Sequence, residues 1–454
     1  MMEGTLSQAA QIIQGNLRGP DGKFSGISTD TRTIRAGELF FALQGPNFDG
    51  NRFVGVAAEK RAAAAVINAQ TDPAFVQIVV DDSRLALGRL AADWRKKMPV
   101  TVVGITGSNG KTTLKDLVTS CLSQFASTLA TQGNLNNDIG VPTMLSRISP
   151  SHRFAVIEMG ANHAGEIAYL ADITCADVVA ITNAGPAHLE GFGSIEGVAK
   201  AKGEILDNPR RPAIAVLNAD DNYFDYWHSR VTDTEVVTFG LGANAMVRAS
   251  AIEPRDCGSH FVLHLKGEEI PIALQLAGRH NVINACAAAA IAGGLGLTGA
   301  MIRQGLESVR PVSGRLQPVT TPAGYVIYND SYNANPRSVM AAAEFLAEQG
   351  GDTCLVLGDM GELGPASQEL HAAVGKAAKE FGVKRLLATG AQSRNTVAAF
   401  GDGGQWFDSV DELTDELRKV LTAESRVLIK GSRSARMERV VDALHPTAES
   451  AGAH

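Results

Sequence analysis

Val102-Val103-Gly104-Ile105-Thr106-Gly107-Ser108-Asn109-Gly110-Lys111-Thr112-Thr113 is the stretch on which the fold reading turns. An apolar, β-branched run enters a glycine-containing turn, and Lys-Thr-Thr then opens a helical pattern. Glycines in such a turn let backbone N–H groups crowd around phosphate oxygens, and a helix N-terminus adds a favourable field. Lys111 supplies charge, and the Thr112 hydroxyl suits Mg²⁺. The loop is a variant of the Walker pattern, because the glycine of that pattern is replaced here by Ile105.

Downstream of this loop the chain alternates between two patterns. Residues 100–105, 154–157, 177–181 and 213–217 are apolar runs of strand length with helical stretches between them. That is the signature of a parallel sheet covered on both faces. Residues 236–272 are more irregular and predict extra antiparallel strands, followed by a helical, bundle-like piece through 309. Upstream lie short mixed segments: the turn-like Gly26-Ile27-Ser28-Thr29-Asp30-Thr31-Arg32, the pair Phe40-Phe41, a helical pattern over 57–65 and a strand over 77–80. A further helix over 85–97 ends at Pro99. A third unit begins near Pro311-Val312-Ser313-Gly314-Arg315, with strands over 325–328, 353–357, 385–388 and 426–429, and reads as a smaller Rossmann-like sheet.

The expected architecture is therefore α/β in three domains, over 1–98, 99–312 and 313–454. At about 150 residues per domain the length agrees. Two open α/β sheets set strand C-terminal ends on opposite sides of a cleft, where ligands bind. Residues 447–454 are expected to fray.

Bulk properties exclude several classes. A formal charge of -7 with no long basic run argues against nucleic acid as a main partner. Cys121, Cys175, Cys257, Cys286 and Cys354 are scattered and form no CxxC, so they read as reduced thiols, neither a disulfide framework nor a zinc site. Residues 1–14 lack the basic-then-apolar layout of a secretory signal, and 285–297 is too short and too rich in Ala and Gly to span a bilayer. A cytoplasmic monomer is expected.

A nucleotide phosphate calls for a metal, and acids at the ends of following strands are the places to look. Glu158 ends the run 154–157, the right place for a Mg²⁺ ligand. His188 follows the run 177–181, where a structural role and a ligand role both remain open. Lys200 and Lys202 lie on a helical stretch and by position alone read as solvated.

Taken together, Thr106 to Thr112, the Glu158 strand end, and His188 followed by Lys202 resemble the Mur ligase family and the related folylpolyglutamate synthases. Three further stretches narrow the resemblance: Gly133-Asn134-Leu135-Asn136-Asn137-Asp138-Ile139-Gly140-Val141-Pro142, Asn329-Asp330-Ser331-Tyr332-Asn333-Ala334-Asn335-Pro336, and Lys430-Gly431-Ser432-Arg433-Ser434-Ala435-Arg436-Met437-Glu438. They look like the branch that adds D-alanyl-D-alanine to UDP-N-acetylmuramoyl-tripeptide for peptidoglycan synthesis.

The resemblance implies an ATP-dependent ligase working through an acyl phosphate. It places Ser28, Thr29, Asp30, Thr31 and Arg32 at the UDP end of the precursor. Gly107, Ser108, Asn109, Gly110, Lys111, Thr112 and Thr113 would hold ATP phosphates, and His280-Asn281 the adenine. Thr112 and Glu158 would hold one Mg²⁺, and His188 a second, with Lys202 matching the family's carbamylated lysine. Arg315 and Asp330 would reach back from the third domain to phosphates and ribose; Lys111, His188, Lys202, Arg315 and Asp330 form the implied catalytic set. Asn134 and Asn137 are implied substrate contacts, and Asn333, Asn335, Ser432 and Arg433 are where D-Ala-D-Ala is expected. One departure is Asn51, in Asp49-Gly50-Asn51-Arg52-Phe53, where the pattern has histidine.

Two other readings compete. A sister ligase adding a single amino acid, such as a folylpolyglutamate synthase or the third-residue Mur ligase, is disfavoured by the stretches 330–336 and 430–438. A P-loop ATPase switch would need neither a second Rossmann-like sheet facing the loop nor a precursor-binding first domain.

Overall fold

The computed structural model of the chain describes residues 1–45, 48–68, 75–208, 210–255 and 258–445. Cys257 and the tail 447–454 lie outside the described residues. Three α/β domains follow one another, each around its own sheet.

The first domain has a five-stranded sheet in the order Asn16–Arg18, Gln77–Val79, Ala64–Ile67, Leu39–Phe41, Ile27–Ser28. The last four are parallel and Asn16–Arg18 is antiparallel. Here the expected helix over 57–65 is corrected. The helix is Val54–Glu59, and Ala64–Ile67 is a strand inside the sheet. Arg61 takes a φ of +61°, which ends the helix, and the Ala-rich run behind it is buried on both faces. Such a run carries no periodicity by which helix and strand can be told apart.

The central sheet has nine strands: Thr128–Ala130, Phe154–Glu158, Thr101–Thr106, Val178–Ile181, Ile214–Asn218, Glu235–Gly240, Val247–Arg255, Gly258–Leu265 and Glu268–Leu274. Alternation along the strands divides the core as a pleated sheet requires. Val103, Ile105, Phe154, Val156, Val178, Ala180, Ile214 and Val216 face one hydrophobic cluster. Val102, Ala155, Ile157, Val179, Ile181, Ala215 and Leu217 face the other. The first face is covered by helices Lys111–Ser123, Arg279–Gly294 and Gly299–Ser308, so the bundle-like piece is a helical layer on the sheet. Of the expected antiparallel strands, Val247–Arg255, Gly258–Leu265 and Glu268–Leu274 pair that way with one another, whereas Glu235–Gly240 runs parallel beside Ile214–Asn218.

The third sheet is ordered Gln317–Thr320, Val326–Asp330, Ser425–Lys430, Asp352–Leu357, Arg385–Thr389, Gly404–Phe407, parallel except for its first strand. The two outermost strands, like Thr128–Ala130 in the central sheet, are short and of mixed composition, and the sequence pattern does not mark them. Helix Ser83–Lys97 ties the first domain to the second. Arg95 on it is buried and donates to the carbonyls of Thr174 and Cys175 and to Asp177.

Cys121, Cys175, Cys286 and Cys354 are free and buried, and burial pushes the thiols of Cys121, Cys286 and Cys354 up to about 12. Among the described residues no helix is long and apolar enough to cross a membrane.

Candidate active site at the domain junction

The phosphate loop joins strand Thr101–Thr106 to helix Lys111–Ser123. Gly107 has a φ of +142°, and a Cβ there would meet Thr182 Oγ1 at 1.9 Å. Gly110 has a φ of +80° and lies against the Asn284 side chain. Both positions exclude a side chain, for conformation and for space. A second loop, after strand Val178–Ile181, holds the first. Ser108 N–H donates to Asn183 O at 2.9 Å, Asn109 N–H to Asn183 Oδ1 at 3.1 Å, and Thr182 Oγ1 to Asn109 O at 2.7 Å. Ser108 Oγ and Gly185 N–H close the pairing at 3.0 Å.

Lys111 folds back onto the loop and donates to Gly107 O at 2.7 Å and Ser108 O at 3.3 Å. Desolvation pushes its pKa down, with Glu158 opposing and Arg315 adding to the effect. Thr112 Oγ1 donates to Glu158 Oε2 at 2.9 Å, and Asn136 Nδ2 donates to Glu158 Oε1 at 2.8 Å. Glu158 is buried, and Thr113 is half-buried in the first turn of the helix. A hydroxyl and a carboxylate side by side are hard oxygen donors, the type Mg²⁺ takes alongside phosphate oxygens and water. The donor set therefore fits one such ion.

Lys202 is 1% exposed, whereas Lys200 is exposed and paired with Glu196. Burial first, then the charge of Lys111, lowers the Lys202 pKa to about 7. Its Nζ lies 3.4 Å from Ala161 O and 5.2 Å from the centre of the Phe192 ring. His188 is held below the usual histidine range chiefly by desolvation, and the charges of Lys111 and Lys202 add to the effect. Its Nδ1 lies in direct contact with Glu362 Oε2 of the third domain.

Further third-domain side chains arrive at the same place. Arg315 Nη2 donates to Thr112 Oγ1 at 3.0 Å, with its guanidinium 4.2 Å from the Tyr332 ring centre. Asn335 caps helix Pro336–Glu348 and donates through Nδ2 to Asn109 Oδ1 at 2.7 Å. Arg337 donates to Ala184 O at 2.8 Å and pairs with Asp221. Asp330, implied as a nucleotide contact, is already engaged. It accepts from Lys430 Nζ at 2.6 Å and from Leu316 N–H at 3.1 Å. His280 lies near this pair and is pushed down by desolvation, while Asn281 is buried and donates to Ala277 O at 2.8 Å.

The other expected residues have partners of their own. Ser28 Oγ and Asp30 form a tight turn in which Thr29 and Thr31 are half-buried, and Arg32 clasps Asp30 in a fork. The Arg32 hydrogen bonds hold the Asp30 carboxyl down at about 2. Asn134 is exposed, and Asn137 accepts from Gly140 N–H at 2.8 Å, a capping duty. Asn333 is exposed, and its carbonyl accepts from Lys430. Ser432 is buried with its N–H on Asp359 O, and Arg433 is exposed and paired with Glu438.

Sequence reasoning passed over Asn136, Asn284, Arg337 and Glu362. Asn136 lies in the stretch 133–142, between Asn134 and Asn137. Asn284 follows Asn281 at i+3, hence on the same helix face. For Arg337 and Glu362 no motif points across the domain boundary.

Comparison with known proteins bears on this site. Three family models match the chain: "Mur ligase family, catalytic domain" over 23–95, "Mur ligase middle domain" over 105–292, and "Mur ligase, glutamate ligase domain" over 314–433. The UDP-N-acetylmuramoyl-tripeptide--D-alanyl-D-alanine ligase of Escherichia coli (strain K12) is 43% identical over 448 residues, covering 98% of this chain and 99% of that protein. A crystal structure of MurF from Acinetobacter baumannii superposes with a TM-score of 0.93 at 35% identity, covering 98% of this chain and 99% of the other. MurF from Thermotoga maritima in complex with ADP superposes with a TM-score of 0.83 at 25% identity, covering 92% and 96%.

Proposed function

The chain belongs to the Mur ligase family, and on that premise we propose that it joins D-alanyl-D-alanine to UDP-N-acetylmuramoyl-tripeptide at the expense of ATP. The product is the UDP-linked pentapeptide precursor of peptidoglycan. The observation that carries this reading is the convergence of Thr112, Glu158, Arg315 and Asn335 on one phosphate loop, drawn from two domains.

A carboxylate does not acylate an amine at neutral pH, because oxide is too poor a leaving group. Transfer of the ATP γ-phosphoryl to the tripeptide's terminal carboxylate makes an acyl phosphate and ADP. The amine of D-Ala-D-Ala then adds to the acyl carbon, and inorganic phosphate leaves as the amide forms. Phosphoryl transfer is mostly positioning and charge neutralisation, so the residue roles are electrostatic. Lys111 and the N–H groups at the helix start, from Gly110 on, cradle the phosphates, since those of Ser108 and Asn109 are taken by Asn183. Arg315, already beside Thr112, answers the charge spread over the transferring group. Docking of the third domain keeps water from the acyl phosphate.

Mg²⁺ between Thr112 and Glu158 would supply further charge neutralisation, and a second ion is assigned to His188 and Lys202. An ammonium cannot ligate a cation. The buried Lys202, its pKa lowered to about 7, holds a large uncharged fraction near neutral pH, and that amine can add CO₂ and release a proton to give an anionic carbamate. A ¹³C resonance of a carbamate in enzyme equilibrated with labelled bicarbonate, absent in Lys202→Met, checks this assignment.

In this reading the domains 1–98, 99–312 and 313–454 bind the UDP end, ATP and the incoming dipeptide in turn. Ser28 to Arg32 serve the UDP end and Asn134 and Asn137 the precursor. Asn281 serves the adenine, Asp330 the ribose side, and Asn333, Asn335, Ser432 and Arg433 the dipeptide. The enzyme works as a monomer in the cytoplasm.

The deciding experiment measures phosphate release from ATP and Mg²⁺ with UDP-MurNAc-tripeptide, with and without D-Ala-D-Ala, and weighs the product by mass spectrometry. Release that needs both substrates and yields the pentapeptide is expected. Equal release without either would sink the reading in favour of an ATPase switch.

A further inference from the structure

The loop after strand Asp352–Leu357 is anchored on several sides. Met360 and Leu363 are buried, and Met360 N–H donates to His371 Nε2 at 3.0 Å. His371 is fully buried, with Nδ1 2.8 Å from Ser367 O. A carbonyl only accepts, so the imidazole proton sits on Nδ1 and Nε2 is free to accept from Met360. The Asp359 carboxylate accepts from Gln392 N–H, Ser393 N–H and Ser393 Oγ at 3.2, 2.8 and 2.7 Å.

Glu362 sits between these anchors with a φ of +60°, and its side chain is 57% exposed. Its carbonyl accepts from Glu190 N–H at 3.3 Å, and its carboxylate lies against His188 Nδ1. His188 also has a left-handed backbone, with a φ of +53°. Two non-glycine residues from different domains thus meet, each in a sparsely populated conformation. Such conformations persist where the surroundings impose them, and they cluster at functional positions.

We propose that Glu362 is a positioning residue for His188, bracing the Nδ1 side of the imidazole from the third domain and presenting Nε2 to the second divalent cation. Histidines that bind metals generally set their other nitrogen against a carboxylate or carbonyl, which fixes tautomer and ring orientation. Here that carboxylate belongs to another domain, so the cation position at His188 is complete only when the third domain is docked. Binding at His188 and docking then favour one another reciprocally. The inference rests on the assignment of His188 under the proposed function.

The test titrates Mn²⁺ into the full chain with saturating AMP-PNP and reads free Mn²⁺ by electron paramagnetic resonance, comparing wild type with Glu362→Gln and Glu362→Asp. Wild type is expected to bind two ions. Glu362→Gln should bind the first unchanged and the second about tenfold more weakly, at an unaltered melting temperature. Glu362→Asp, which retains the charge, should lose less. Equal binding of both ions in wild type and Glu362→Gln overturns the proposal, and so does a wild type that binds a single ion. Because no turnover is read, a wild type lacking D-Ala-D-Ala-dependent phosphate release would sink the proposed reaction and leave this readout standing.

Discussion

Arg315 and Gly107 show how single residues separate chemistry from architecture. Arg315 is half-buried and makes its cross-domain bond to Thr112, so its loss removes charge at the phosphates without opening a core. Arg315→Ala should lower kcat by about 10²–10³-fold, the range for one electrostatic contact to a transition state. Stopped-flow phosphate release reads the loss, and the melting temperature should move little. Gly107→Ala is the opposite case: a Cβ would sit 1.9 Å from Thr182 Oγ1 on a backbone that L-residues rarely adopt. That variant should lose nucleotide binding in calorimetry and melt several degrees lower, since the two loops cannot then pair. Lys202→Met should abolish turnover yet melt no lower than wild type, because it replaces a buried polar end with an apolar chain of similar length. A large drop in its melting temperature would make Lys202 a packing element instead.

Helix Pro336–Glu348 begins after Asn335, whose side-chain Oδ1 accepts from Ser338 N–H and whose Nδ2 donates to Asn109 Oδ1. One side chain therefore serves the helix and the domain junction. Asn335→Ala should cost about 1 kcal/mol for the cap and also raise KM for ATP and for D-Ala-D-Ala; Asn335→Asp keeps the cap and should raise KM alone. The His371 anchor belongs to the same scale and predicts a pH dependence. Burial lowers its pKa below the ordinary 6.5, so the unfolded chain takes up a proton more readily than the folded one. Stability should be fully present above about pH 6.5 and decline as the pH falls towards the lower folded pKa. His371→Gln should flatten that part of a melting-temperature profile.

The first and second domains share apolar packing, with Ala91 of helix Ser83–Lys97 in the central core, whereas the second and third also meet through a set of polar contacts. Arg315, Asn335, Arg337 and Glu362 all cross from the third domain to loops of the second. Interfaces of that kind permit relative motion. Arg337→Ala removes a donor to Ala184 O and a partner of Asp221, so it should shift the chain towards a more open arrangement. Small-angle scattering with AMP-PNP should then give a larger radius of gyration than wild type, and an identical radius would assign closure to the other contacts.

The sequence by itself determined the α/β class, the three units and the phosphate loop. These follow from local rules: β-branched runs of strand length, glycines at a turn, and Lys-Thr at a helix start all act over a few neighbouring residues. It also marked Glu158 and His188 by their places after strands. Tertiary structure decided the strand at Ala64–Ile67, where burial on both faces erases periodicity, and the weak edge strands, whose place depends on a neighbour far away in the chain. It decided that Lys202 is buried while Lys200 is solvated, although both lie on one helix, because only packing says which face turns inward. It also decided that Asn136, rather than Asn134 or Asn137, touches Glu158, and that Glu362 meets His188. Contacts between distant segments depend on how whole domains dock, and no pattern within either segment encodes that.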